Sequence, residues 1–142
     1  DLHLLYAEAL NESGRPTDAL PYLNRIRERT GLESIESSWT GHSKRPDKYT
    51  TVAGMREIIH QERGIEMAFE ASRFWDLRRW KTAAKVLNAP IYGWNITQES
   101  TEEYNTRIFL FNQSFVAPRD YLWPVSEYAL QINPNLVQNT GW

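Results

Sequence analysis

The chain has 142 residues and no cysteine, with sixteen Lys and Arg against eighteen Asp and Glu for a formal charge of −2. That length buries a real core, about two-thirds of the unfolded surface, and near-neutrality gives no chain-wide attraction to nucleic acid. Disulfides and thiolate chemistry are excluded, and no apolar run approaches the ~18 residues of a membrane-spanning helix.

Leu2, Leu5, Tyr6, Ala9 and Leu10 recur at helical spacing, and Gly14 stops this first predicted helix. The pattern is already in register at residue 1, so the sequence reads as part of a longer one. A second helix begins near Pro16 and runs through Ala19, Leu20, Leu23, Ile26 and Arg27 to Gly31. Together they predict a helical hairpin of tetratricopeptide type over 1–32. Residues 33–49 are polar and aperiodic, with Gly41, Pro46 and one prominent ring, Trp39, and read as a long surface loop. Thr50 or Thr51 then caps a third helix that points Met55, Ile58, Ile59, Ile65 and Phe69 inward. A bend near Ser72 leads to a short helix ending between Trp80 and Lys85, so that 50–85 is a pair of charged helices. From 86 to 142 the helical period is lost. Segments 91–96 and 107–111 read as short strands around a polar stretch, Tyr121–Val125 is extended up to Pro124, and Ser126 caps a last helix reaching Ile132. The fold class is therefore mainly α: a tetratricopeptide-type hairpin with further helices, plus a small β element and long loops in the C-terminal half.

Residues Glu62–Trp80 read ERGIEMAFEASRFWDLRRW, alternating carboxylates and guanidinium groups among large apolar residues. Met55, Ile58, Glu62, Ile65 and Phe69 are spaced by three and four residues, which puts a carboxylate inside an apolar seam. A buried charge without a partner costs several kcal/mol, so Glu62 needs a cation. Arg27, at the edge of the second helix's apolar stripe, is one candidate; Arg73 and Arg79 are the others. Glu62 and Glu66 are thus expected to hold the third helix to its neighbours through arginine. The competing reading is catalytic, since Glu62, Glu66 and Glu70 lie at i, i+4 and i+8 with a separation like that of glycosidase carboxylates. Glycosidase acids face each other across a bond, however, whereas these stack along one helix among arginines that keep them ionised.

Other chemistry is not indicated. His3, His42 and His60 form no paired metal motif, and neither a phosphate-binding glycine loop nor a nucleophile elbow is present. No cofactor, metal site or nucleic-acid partner is expected. The Asn-x-Ser/Thr triplets at Asn11, Asn95 and Asn112 are short patterns to which no role is assigned.

The Glu62–Trp80 segment resembles the ER-x-x-E-x-x-x-E-x-x-R-x-x-D-L-x-R-W signature of the SusD/RagB family. Leu5–Leu32 is similar to the hairpin preceding it in that family, closing on Asn24, Arg27 and Arg29. Tyr121–Trp142 is similar to the family's C-terminal block, with Ser126 and Thr140 where proline is usual. The three blocks occur in order and span nearly the whole chain. The resemblance implies the C-terminal portion of a non-catalytic nutrient-binding lipoprotein on the outer face of a Bacteroidetes outer membrane, anchored through a lipidated cysteine upstream of residue 1. It implies a SusC-like TonB-dependent transporter as partner and a glycan, or in some members a peptide, as ligand. The matching blocks are structural, so ligand contacts must come from elsewhere. Sugar binding needs aromatic faces with polar neighbours, and the candidates outside the matched helices are Trp39, Tyr49, Tyr92, Trp94 and Tyr104, each with core packing as the alternative. Trp75, Trp80 and Trp123 read as core. A helical-repeat scaffold that binds only protein is the competing class; an exposed ring pair a sugar's width apart would favour glycan over it.

Overall fold

Helix α1 (Leu2–Glu12) ends where Gly14 adopts φ +82, with the amides of Gly14 and Arg15 donating back to the carbonyls of Asn11 and Leu10. This reciprocal closure satisfies the last orphan carbonyls and needs a left-handed residue, hence glycine. After a 3₁₀ turn at Pro16–Ala19, α2 (Leu20–Arg29) closes identically through Gly31 at φ +74. The computed structural model describes all of residues 1–142, which form two compact units, Asp1–Arg73 and Phe74–Trp142.

In the first unit, α1 and α2 pack with α3 (Ile35–His42) and α4 (Val52–Glu66). The core is Leu4, Ala7 and Leu10 from α1, Ala19, Leu20 and Leu23 from the second helical stretch, Ile35 from α3, and Met55, Ile58 and Ile59 from α4. Three sequence expectations change here. In α1, Leu2, Leu5 and Tyr6 are exposed, and the buried stripe is Leu4, Ala7, Glu8, Leu10 and Asn11. The helix is apolar on most of its circumference, so spacing alone allowed two faces and the positions of its neighbours chose one. Asn11 is fully buried, its amide donating to the Val52 carbonyl.

The expected loop at 33–49 contains α3. Ser34 Oγ accepts the Ser37 amide as an N-cap, Asn24 Oδ1 accepts the Ile35 amide, and the Ile35 side chain is fully buried. With a single buried anchor the helix leaves almost no hydrophobic period to read, and a side chain from α2 holds its first turn. The third change concerns α4. Thr51 caps it by accepting the Gly54 amide, and Met55, Ile58 and Ile59 point inward as expected. Ile65 and Phe69 do not: Ile65 is mostly exposed and Phe69 fully so. The helix stops at Glu66, and Phe69 (φ 65) and Ala71 (φ 58) take left-handed conformations before α5 (Ser72–Arg79) begins. For Phe69 the seam spacing ran past the end of the helix that gave it meaning, while Ile65 is exposed within the last turn of that helix.

Arg56 of α4 forks onto Glu12 of α1, Nε to Oε1 at 2.7 Å and Nη2 to Oε2 at 2.5 Å. The guanidinium hydrogen bond holds the Glu12 carboxyl below its ordinary range against a smaller opposing effect of burial. A carboxyl depressed on folding stabilises the native state above its unfolded value, and that contribution is lost as pH falls through its folded value. Glu12→Gln is therefore expected to match wild type less closely at pH 7 than at acid pH. Urea midpoints recorded from pH 7 to well below about 4.3, the ordinary Glu value, should stay apart down to that value and converge only below it.

In the second unit, Leu77 of α5, Ala83 of α6 (Ala83–Leu87) and Phe115 form a small core, with Tyr121 stacked edge-on to Phe115 at 4.7 Å. Asn88 ties the segment down as a substitute strand partner, Oδ1 accepting the Phe115 amide at 2.7 Å and Nδ2 donating to its carbonyl at 2.9 Å. Strands β1 (Pro90–Trp94) and β2 (Arg107–Asn112) form one antiparallel hairpin, pairing Tyr92 with Phe109 and Trp94 with Arg107, with a bulge at Ile91/Tyr92. A short helix, α7 (Thr101–Tyr104), sits in their connection, and Ser126 caps α8 (Glu127–Ile132) by accepting the Ala129 amide. Gln138 bridges back to Val125 through both its amide atoms. Trp75 and Trp123 are not core: they are 57% and 63% exposed. Trp123 instead stacks on the Arg78 guanidinium at 5.4 Å, which also covers Phe74 at 5.1 Å and donates to the carbonyls of Asp120 and Tyr121. Trp80 is half-buried, with the Arg79 guanidinium 4.9 Å from its ring.

Candidate ligand-binding surfaces

The charged helix resolves into arginine clamps. Arg27 Nη1 donates to Glu62 Oε1 at 2.5 Å, its Nη2 to Ser38 Oγ at 2.9 Å and its Nε to the Glu33 carbonyl at 2.6 Å, so one guanidinium ties α2, α3 and α4 together. Arg29 Nη2 holds Glu66 Oε1 at 2.6 Å. Of the other candidates, Arg79 lies on Asp76 of its own helix at 2.9 Å. Arg73 is not a partner of either carboxylate; its Nη1 lies beside Gly64. Glu70 follows the end of α4 and faces solvent, which breaks the i, i+4, i+8 ladder that the catalytic reading required. No group of three or more His, Asp or Glu side chains converges to metal-ligand distance.

The aromatic candidates divide between the two units. In the first, Trp39 and Tyr49 both pack against the core and are half-buried. Trp39 borders a depression of about 390 Å³ with Arg27, Ser38, His42, Lys44, Gln61 and Glu62. The Lys48 ammonium lies 4.6 Å from its ring centroid, so one ring face already has a cation over it. In the second unit, strand alternation puts Tyr92 and Trp94 on one face of β1, with Cα atoms roughly 6.6 Å apart by strand rise. They are 46% and 55% exposed. Both line a depression of about 320 Å³ with Pro90, Ile91, Gly93 and Arg107. Phe109 meets Tyr92 edge-on at 6.1 Å, and the Arg107 guanidinium lies 4.6 Å from the Tyr92 centroid. Tyr104 is also exposed but sits on α7, outside the lining of this depression.

Arg107 and Phe109 were not among the sequence candidates. The signal that finds them is strand register, since residues paired across an antiparallel ladder share a face with Tyr92 and Trp94. That register is continuous from Tyr92 to Trp94 and shifts only at the bulge before Tyr92, and the hydrophobic pattern marked neither.

The arginine-clamped helix, the hairpin before it and the closing block together match the model of the SusD family over residues 1–142. The chain belongs to the SusD family. A SusD-like protein of Formosa agariphila, P2, is 34% identical over 137 residues, covering 96% of this chain and 23% of that protein. Among solved structures, a SusD-like protein from Bacteroides fragilis superposes with a TM-score of 0.76 at 30% identity, over 99% of this chain and 24% of that one. A SusD-like carbohydrate binding protein from the same organism superposes with a TM-score of 0.70 at 29% identity, over 96% of this chain and 27% of that one. This SusD-family chain thus spans about a quarter of the length of the relatives it matches. Its fold, mainly helical with one two-stranded sheet, agrees with the class read from the sequence.

Proposed function

We propose that this chain is part of a non-catalytic glycan-binding protein that works at the outer face of an outer membrane and passes its ligand to a SusC-like TonB-dependent transporter. The observation that carries the glycan reading is the exposed pair Tyr92 and Trp94 on one strand face. Their spacing is close to the width of a pyranose, and stacking of sugar C–H faces on rings is the usual way a protein holds so polar a ligand. A protein-only scaffold has no need of two open rings at that separation. Membership of the SusD family and the likeness to a carbohydrate binding protein support the same reading. The outer-membrane position and the transporter rest on the family resemblance. The non-catalytic assignment also rests on the carboxylates of α4, which are engaged by arginine along one helix instead of facing one another.

The test is affinity electrophoresis of the full-length protein through gels containing a panel of polysaccharides, with binding constants for any that retard it. Trp94→Ala is expected to weaken binding roughly tenfold, or about 1.4 kcal/mol, as truncation of a stacking anchor does. Trp39→Ala is expected to weaken it less, because that ring is partly committed to the core. Unchanged binding in Trp94→Ala would remove the hairpin from the site, and failure to bind any glycan while binding peptides would favour the peptide or scaffold reading.

A further inference from the structure

The hairpin depression contains one charged side chain, Arg107, and that side chain makes no ion pair. Arg27, Arg29, Arg56 and Arg119 are paired with Glu62, Glu66, Glu12 and Asp120, whereas Arg107, like Arg25, Arg73 and Arg78, carries no carboxylate partner. The Arg107 guanidinium has its centre 4.6 Å from the Tyr92 ring centroid, and Arg107 pairs with Trp94 across the two strands. Of the carboxylates in the adjoining connection, Glu103 is already hydrogen-bonded to Ser100 Oγ. A guanidinium held over a ring keeps its five N–H donors, and a planar fork of this kind matches a carboxylate or an oxyanion ester in two parallel hydrogen bonds. Neutral sugar hydroxyls can also accept from the fork, but they bring no opposite charge to it.

We infer that the Tyr92–Trp94–Arg107 face selects a pyranose bearing an anionic substituent, a uronate carboxylate or a sulfate ester, with Trp94 under the ring and Arg107 on the charge. This rests on the glycan-binding reading above and narrows it to acidic glycans. Charge complementarity decides the occupant: an aromatic-walled depression with a single unneutralised cation favours one negative charge per bound ring over a neutral chain.

The full-length protein is run in affinity gels cast with pectate or with a sulfated galactan, and in parallel gels with the methyl-esterified and the desulfated polymers. The expected result is retention at least about tenfold stronger for one of the acidic polymers than for its neutral counterpart, the size of a charge-assisted hydrogen bond. Whether pectate or sulfated galactan is retained distinguishes carboxylate from sulfate. Arg107→Gln, an exposed change on a strand, is expected to abolish the preference for the acidic polymer while leaving the unfolding midpoint in place, whereas Trp94→Ala weakens both arms. A preference that survives in Arg107→Gln, or equal retention of acidic and neutral polymers, overturns the inference. If neutral polymers alone are retained and Trp94→Ala releases them, glycan binding stands and the acidic selection falls. Retention of none overturns the acidic selection.

Discussion

Gly54→Ala is expected to destabilise the first unit by about 3 kcal/mol, the upper end of what overpacking costs. Gly54 lies in the first turn of α4, is buried, and donates its amide to Thr51 Oγ1. A Cβ there would overlap the Lys48 carbonyl oxygen and come within 2.9 Å of both its carbon and the Lys48 Cγ. The first two are backbone atoms of the 3₁₀ turn Lys48–Thr50 and cannot rotate away. Alanine's better helix propensity returns only about 1 kcal/mol. Displacing the turn would also pull Lys48 from Glu57, 2.9 Å away, and from the Trp39 ring. Gly41→Ala is the control: it lies in α3 with nothing within 4 Å of the added carbon, so it should be neutral or stabilising by up to about 1 kcal/mol. Urea unfolding of both variants checks the signs. A Gly54→Ala midpoint equal to wild type would mean that the Lys48 turn yields without cost.

Arg27→Met is expected to cost about 3 kcal/mol, the lower end of the range for breaking a buried ion pair. The side chains of Arg27 and Glu62 are only 14% and 16% exposed, and Glu62 would be left partly buried beside apolar Ile58 without its cation. Two further hydrogen bonds, to Ser38 Oγ and the Glu33 carbonyl, would be lost from the start of α3. The double variant Arg27→Met with Glu62→Gln should cost less than the sum of the singles, with a coupling of about 1–2 kcal/mol. Arg15 and Asp18, 61% and 47% exposed, are the comparison; breaking that pair should change stability by no more than about 0.5 kcal/mol. Additive behaviour at Arg27 and Glu62 in a denaturant series would assign the clamp a negligible role.

Much of this was legible in the chain. Gly14 and Gly31 mark the ends of α1 and α2 because only glycine takes the left-handed turn cheaply, and Thr51 and Ser126 mark two N-termini because their hydroxyls accept free amides. The need for a cation on Glu62 followed from the cost of burying its charge, and Arg27 was already a named candidate. Where the reading failed, the deciding contact was remote. Helix α3 is held by Asn24 and by one buried isoleucine, neither of which leaves a period in 33–49. Phe69 was placed inward on the assumption that α4 continued, and the left-handed residues at 69 and 71 ended that assumption, whereas Ile65 is exposed although it lies within the last turn of α4. Trp75 and Trp123 looked like core because large rings usually are, yet arginine stacking covers Trp123 without removing it from water.

The candidate surface divides in the same way. The sequence by itself named Tyr92 and Trp94 as two of five rings outside the matched helices, and strand β1 then puts this i, i+2 pair on one face. Only the tertiary structure brought Arg107 and Phe109 to them, because the connection between the strands sets the pairs Tyr92–Phe109 and Trp94–Arg107, and no local pattern encodes that register. Local rules determined the helices, their caps and the charged block that marks the family. Packing between segments distant in sequence decided which faces are buried, which arginine meets which carboxylate, and which rings are left open to a ligand, since each of these depends on a partner that one segment cannot specify alone.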